Sequence, residues 1–177
     1  MKTLTLLRHA KSSWDDPVAR DFDRPLNTKG RRAAAMIGRH LKTLDMRFDH
    51  VIASPAIRVI ETLDEVWGGY GRKLEPVWDK AMYLASASSL LDLVQSLPDA
   101  AGHVLLVGHN PGLEDLTLDL TLDNDLRDRA EDKYPTATVA QMTLPIEHWR
   151  GARSHSATLV AFIRPRDLDP TLGPDTP

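Results

Sequence analysis

The chain has 177 residues, with 22 Lys and Arg against 25 Asp and Glu and no Cys. That length fits one domain, large enough to bury roughly 70% of the surface an unfolded chain exposes. A net charge of −3 lacks the basic excess of a nucleic-acid binder, and the absence of Cys excludes disulfides, thiol nucleophiles, zinc ribbons and iron–sulfur clusters.

The apolar stretch behind Lys2 stops at Arg8, short of a signal peptide's core, and no later run approaches a membrane span of about 20 residues. A soluble cytoplasmic protein with neither nucleic-acid nor membrane partners is therefore expected. Leu4 to Leu7 reads as a strand running into Arg8-His9, followed by a polar segment from Lys11 to Leu26. Thr28 is placed to cap a helix with Ala33, Ile37, Leu41 and Leu44 on one face. Val51-Ile52-Ala53 reads as a strand, and Ser54-Pro55 as the cap and first residue of a helix that Gly68-Gly69 stops. Leu74 to Trp78 is a further strand candidate, and Leu90, Leu93, Val94 and Leu97 mark a helix. His103 to Val107 reads as a buried strand, which Gly108-His109-Asn110-Pro111-Gly112 turns into a helix carrying Leu113, Leu116 and Leu120. The charged segment Asp119 to Lys133 is expected to be an exposed excursion. Closing strands fall at Thr138 to Leu144 and Ala157 to Ile163. Four of the 12 prolines lie in residues 164–177, which reads as a flexible tail behind a single domain over residues 1–163.

Alternating strands and helices predict an α/β fold with a largely parallel sheet. Three places share one pattern, an apolar strand, a sharp polar turn and then a helix. They are Leu7-Arg8-His9-Ala10, Ala53-Ser54-Pro55 through Arg58, and Val107-Gly108-His109-Asn110-Pro111. The carboxyl ends of parallel strands share one sheet edge, where ligands bind. Two His and two Arg scattered over a hundred residues can thus meet in one pocket. Such a set suits a phosphoryl group, because guanidinium forks match its oxygens and a His nitrogen can carry it covalently. Each motif alone has a structural explanation. Arg58, however, sits near a helix N-terminus, where a cation costs roughly 0.3–1 kcal/mol unless an anion offsets it.

Together these residues resemble the histidine phosphatase superfamily, the phosphoglycerate-mutase-like group, and within it the short SixA-type phosphohistidine phosphatases. The resemblance rests on residues 7–14, on Arg24-Pro25-Leu26-Asn27-Thr28-Lys29-Gly30-Arg31, and on residues 53–58 with Glu61-Thr62. It also takes in residues 107–112 and Tyr134-Pro135-Thr136. It implies a three-layer α/β sandwich with a mostly parallel central sheet. His9 would be the phosphorylated nucleophile, with Arg8, Arg58, His109 and Ser12 around the phosphoryl oxygens and no metal or other cofactor. The implied partner is a phosphorylated substrate, a histidine-phosphorylated signalling protein in the SixA case; the oligomeric state is left open. Ala10 stands where many members have Gly, and Asp15 where mutase-type members have Asn.

Larger relatives place a Glu after the second motif to protonate a leaving alkoxide. Leu74 to Ser89 offers only Glu75 and Asp79, and the first long loop adds Asp21 and Asp23; Asp79 and Asp21 are the candidates kept for a general acid. Two alternatives stay open: a phosphatase for a small phosphomonoester metabolite, and a non-catalytic phosphate-binding domain. Residues 119–134 are not an EF-hand, since the sixth and twelfth positions from Asp123 are Asp128 and Tyr134 rather than Gly and Glu. The four Trp are expected to be core or loop anchors.

Overall fold

The structure is a computed structural model that describes residues 1–17 and 19–173. Its strands are β1 (Lys2–Arg8), β2 (His50–Ala53), β3 (Val77–Trp78), β4 (His103–Gly108), β5 (Val139–Leu144) and β6 (Thr158–Ile163). Its α-helices are α1 (Thr28–Thr43), α2 (Ile57–Tyr70), α3 (Ala87–Gln95), α4 (Gly112–Leu120), α5 (Asp125–Asp132) and the short α6 (Pro165–Leu168). The strands form one sheet in the order β3-β2-β4-β1-β5-β6. The first four run parallel, whereas β5 is antiparallel to both its neighbours. This is the expected α/β class with a mostly parallel sheet.

Period-two alternation sorts the sheet's side chains into two cores. Leu4 and Leu6 of β1, Val104 and Leu106 of β4, and Ile52 of β2 pack with α3 and α4 on one face. Leu7, Leu105, Val107, Val51 and Ala53 pack with α1 and α2 on the other. Three layers result. At about 1.5–3 kcal/mol per fully buried large apolar side chain, these central strands, buried on both faces, anchor everything that hangs from their ends.

Several local expectations change. The α1 cap is Asn27, not Thr28, and its side chain accepts from the Gly30 amide at 2.7 Å. Gly68 and Gly69 do not stop α2; the helix runs on to Tyr70, and Gly71 ends it in the left-handed region at φ 80°. Gly69 serves packing instead. A Cβ there would lie 2.2 Å from the Ala35 carbonyl oxygen, so its absence lets α2 press against α1. The charged excursion contains α5, capped by Asn124 and pinned by the buried Ala130.

The end of the chain differs too. Residues 165–172, read as tail, form α6 and a 3₁₀ turn in which Pro165 and Leu172 are buried, the latter against the α1/α2 core. Proline at the first position of each segment, Pro165 and Pro170, fixes φ for a helical start rather than for fraying. Residues 174–177 lie outside the described residues. Trp67 and Trp149 are core residues as expected, but Trp14 and Trp78 are exposed. Among the described residues no helix is long and apolar enough to cross a membrane.

Candidate active site

Strand register assembles the site. Arg8 pairs with Gly108 and Ala53 with Val107, so His9, His109 and Ser54 all emerge at one carboxyl edge, just past their strands. The His9 amide donates to the Gly108 carbonyl at 3.0 Å, and the Ser54 amide to the Val107 carbonyl at 3.0 Å. The two rings lie 5.3 Å apart, centre to centre. Arg58 enters from the second residue of α2, almost fully buried. Thr62, one turn further on, accepts from the Ala10 amide at 2.9 Å and so ties α2 to the loop after His9.

The resulting cleft has a volume of about 310 Å³. Arg8, His9, Ser12, Asp21, Arg24, Arg58, His109 and Asn110 line it, together with Lys11, Trp14, Leu84 and Thr136. All four residues expected around the reacting group are thus gathered in one cleft. Arg8 is held by the Tyr134 carbonyl at 2.9 Å, which Asn110 also reaches at 3.1 Å. The Nε atoms of Arg8 and Arg58 are buried and make no hydrogen bond. Buried guanidinium donors without a partner point to an anionic ligand.

The hydrogen bonds fix both tautomers. His9 Nδ1 lies 2.7 Å from the Ala10 carbonyl, which can only accept, so Nδ1 carries the proton and Nε2 keeps its lone pair. Arg58 Nη2, which can only donate, lies 3.3 Å from His109 Nδ1. His109 therefore donates from Nε2 to Ser54 Oγ, 2.7 Å away. Burial, with His109 and the two arginines adding to it, lowers the His9 pKa to about 3. Burial and Arg58 lower that of His109 to about 4. Both rings are neutral at pH 7.

An unfolded histidine takes up a proton near pH 6.5, and these two folded ones do not. Their contribution to stability is complete above that pH and is lost as pH falls towards about 4 and then about 3. We expect the ring proton resonances of His9 to keep their neutral positions from pH 7 down to about pH 5 in an NMR titration. A midpoint near 6.5 would contradict this geometry.

Asp21 is in the cleft as a hydrogen-bonded, ionised carboxylate. Its carboxylate binds Arg58 at 3.0 Å and Arg24 at 2.9 Å and accepts from the Tyr83 hydroxyl at 2.5 Å. Burial raises its pKa, yet the bonds from Tyr83, Arg24 and Arg58 outweigh that and hold the carboxyl well below the usual range. A group so firmly ionised is a poor proton donor. Asp79 is not among the residues lining the cleft; it caps a 3₁₀ turn by accepting from the Ala81 amide at 2.9 Å. Glu114 is pushed up by burial and Asp115, and it too is absent from the lining. Ser12 is buried in the cleft and accepts from Arg24. Asp15 is exposed and outside the lining.

Sequence reasoning missed Arg24, Tyr83, Ser54 and Thr62 as parts of the site. Arg24 also stacks on Trp14, its guanidinium carbon 3.5 Å from the ring centre. Tyr83 stands edge-on to His109, with ring centres 5.3 Å apart. No local signal marks Tyr83, because its place in the site comes only from tertiary packing against Asp21 and His109.

The family model of the histidine phosphatase superfamily (branch 1) matches residues 4–81. An uncharacterized protein of Mycobacterium leprae is 31% identical over 167 residues, covering 90% of this chain and all of that one. The chain belongs to the histidine phosphatase superfamily. Solved structures carry the likeness further. A chain from Agrobacterium tumefaciens assigned as phosphohistidine phosphatase SixA is 29% identical, with TM-score 0.76 over 92% of this chain and 97% of that one. The protein histidine phosphatase SixA complexed with tungstate shares the fold at 21% identity and TM-score 0.78, over 94% and 99%. This histidine phosphatase superfamily member is an enzyme, a phosphatase of SixA type. Its catalytic domain has the same phosphoglycerate-mutase-like α/β sandwich as those neighbours.

Proposed function

We propose that the chain removes the phosphoryl group from phosphohistidine carried by a protein, through a phosphorylated His9. The observation behind this reading is the state of Asp21, the one carboxylate among the described residues lining the cleft. An alkyl phosphate expels a strongly basic alkoxide, and a positioned acid is then worth about 10²–10⁴-fold. Asp21 is ionised and bound to two arginines. Phosphohistidine instead expels an imidazole, which leaves readily once its ring is protonated and does not require an acid from the enzyme.

In the first step the Nε2 lone pair of His9 attacks phosphorus. The bond from Nε2 to phosphorus forms as the bond to the substrate's ring nitrogen breaks, and that ring, already protonated by solvent on its other nitrogen, departs with the electron pair as neutral imidazole. In the second step water attacks phosphorus, its proton passes to solvent or phosphate, and the electron pair returns to His9. Arg8 and Arg58 hold the phosphoryl oxygens in both steps, with Ser12 beside them. The substrate's negative charge raises the proton affinity of His109. Once protonated on Nδ1, that ring donates to an oxygen where charge grows. Asp21 and Tyr83 position Arg58, and Asp21 also neutralises part of its charge.

The test is a kcat/KM panel of phosphohistidine, free and in a protein, against glycerate and hexose phosphates. Phosphohistidine is expected to be preferred by about ten-fold or more, some 1.4 kcal/mol in the barrier. Asp21→Asn keeps the acceptor but removes its charge. It should show no selective loss on alkyl phosphates, and inorganic phosphate should inhibit this variant several-fold more tightly, a shift of roughly 1 kcal/mol. A sugar phosphate as best substrate, with Asp21 or another carboxylate indispensable for it, overturns the reading.

A further inference from the structure

A second cavity, also of about 310 Å³, adjoins the catalytic cleft and shares Lys11 and Thr136 with it. Four cations line it, Lys11, Lys29, Lys133 and Arg166, and no Asp or Glu is among its described lining residues. The chain as a whole carries a net charge of −3, so positive charge is concentrated here against the overall balance. Within the described residues, the side chains of Lys133 and Arg166 form no hydrogen bond or ion pair, and Arg166 Nε is buried without a partner. An unsatisfied guanidinium nitrogen costs free energy that an anion would recover. Pro135, Pro165 and Leu172 supply apolar walls.

We propose that this cavity is a subsite for a second anionic group on the phosphorylated substrate, carried next to an apolar portion of the same molecule. Lys11 sets the geometry that joins the two sites. It stands two residues past His9, and its carbonyl accepts from the Asn27 amide at 3.0 Å. Gly30 lets α1 close on that carbonyl, since a Cβ there would fall 2.2 Å from the oxygen. The backbone between the sites is therefore held, and the two cavities meet at Lys11 and Thr136, within reach of one molecule that carries its phosphoryl group in the cleft. On the phosphohistidine reading, on which this identification of the bearer rests, the second group is an Asp or Glu carboxylate near the phosphohistidine. On a small molecule the same chemistry would be a second phosphate or carboxylate.

The experiment compares two phosphohistidine peptides that differ only in flanking residues, Glu in one and Gln in the other. The full chain should prefer the acidic peptide by about ten-fold or more in kcat/KM at low salt. The preference should reside in KM and shrink as ionic strength rises. Lys133→Gln combined with Arg166→Gln should bring the ratio between the peptides close to one, while Arg166→Lys alone should retain most of it. Thermal melts establish that the variants fold. A ratio of one in the unsubstituted chain, or a ratio the double variant leaves unmoved, overturns the peptide form of the proposal. A parallel arm compares a small bisphosphate with its monophosphate. A preference confined to the bisphosphate, and erased by the same substitutions, assigns the subsite to a small molecule; no preference in either arm refutes the subsite. If p-nitrophenyl phosphate is hydrolysed but neither phosphohistidine peptide is, the phosphohistidine reading falls, and the bisphosphate pair alone decides the subsite.

Discussion

His9→Ala should abolish the covalent intermediate and lower kcat by at least about 10⁴-fold, because no other group replaces a lost nucleophile. In the unsubstituted chain, brief exposure to a labelled phosphoryl donor should yield an acid-labile, base-stable phosphoenzyme, the stability pattern of a phosphorus–nitrogen bond. The geometry makes the expectation specific to one atom. Nδ1 keeps its proton and donates it in a hydrogen bond to the Ala10 carbonyl, so the phosphoryl group should be found on Nε2, a position that NMR of the trapped intermediate reports directly. Label retained by the His9→Ala chain would remove His9 from the mechanism.

Arg58→Ala should lower kcat/KM by about 10²-fold or more, the range seen when a donor to a developing oxyanion is deleted. Arg58→Lys should recover only part of this, since an ammonium keeps the charge but loses the fork. The fork is in use on both tips. Nη1 donates to the Asp21 carbonyl at 2.6 Å, and Nη2 reaches both the Asp21 carboxylate and His109. A lysine cannot span these groups, so the variant should also lose the donor that faces His109 Nδ1. Vanadate inhibition should weaken in parallel with kcat/KM. Inhibition that both variants leave unchanged would place Arg58 outside the phosphoryl pocket.

The parts of this molecule that could be read from sequence are those in which local pattern and tertiary role coincide. β1 and β4 are buried on both faces and show as short apolar runs, interrupted in β1 only by Thr5, that end in Arg8-His9 and Gly108-His109. Ser54-Pro55 shows the opposite case. It has the form of a helix start, but α2 begins later, after Ala56 at φ −57° and ψ 142°, and Ser54 is free to accept from His109. Thr28 and Asn27 are both good caps, and only the extended backbone of Asn27 (φ −89°, ψ 176°) decides between them. The two candidate acids had equal claims in sequence. The fold carries Asp21 to Arg58, 37 residues away, and leaves Asp79 capping its own turn. No spacing rule encodes such a meeting, because it depends on how the loop before α1 lies over the sheet edge.

The position of β1 in the sheet bears on how the chain folds. This strand is made first, yet its neighbours are β4 and β5, about 100 and 140 residues later. It cannot be paired on either side until β4 has been synthesised, and not on both sides until β5 follows in the last third of the sequence. Loop closure over such separations is slow, and topologies dominated by non-local pairs fold slowly for that reason. During translation Leu4, Leu6 and Leu7 therefore emerge as an unpaired apolar segment, a form prone to association with other chains. His9, at the end of that strand, meets His109 and the Ala137 amide only after those later residues have been made, so a nascent chain carries the nucleophile before its cleft.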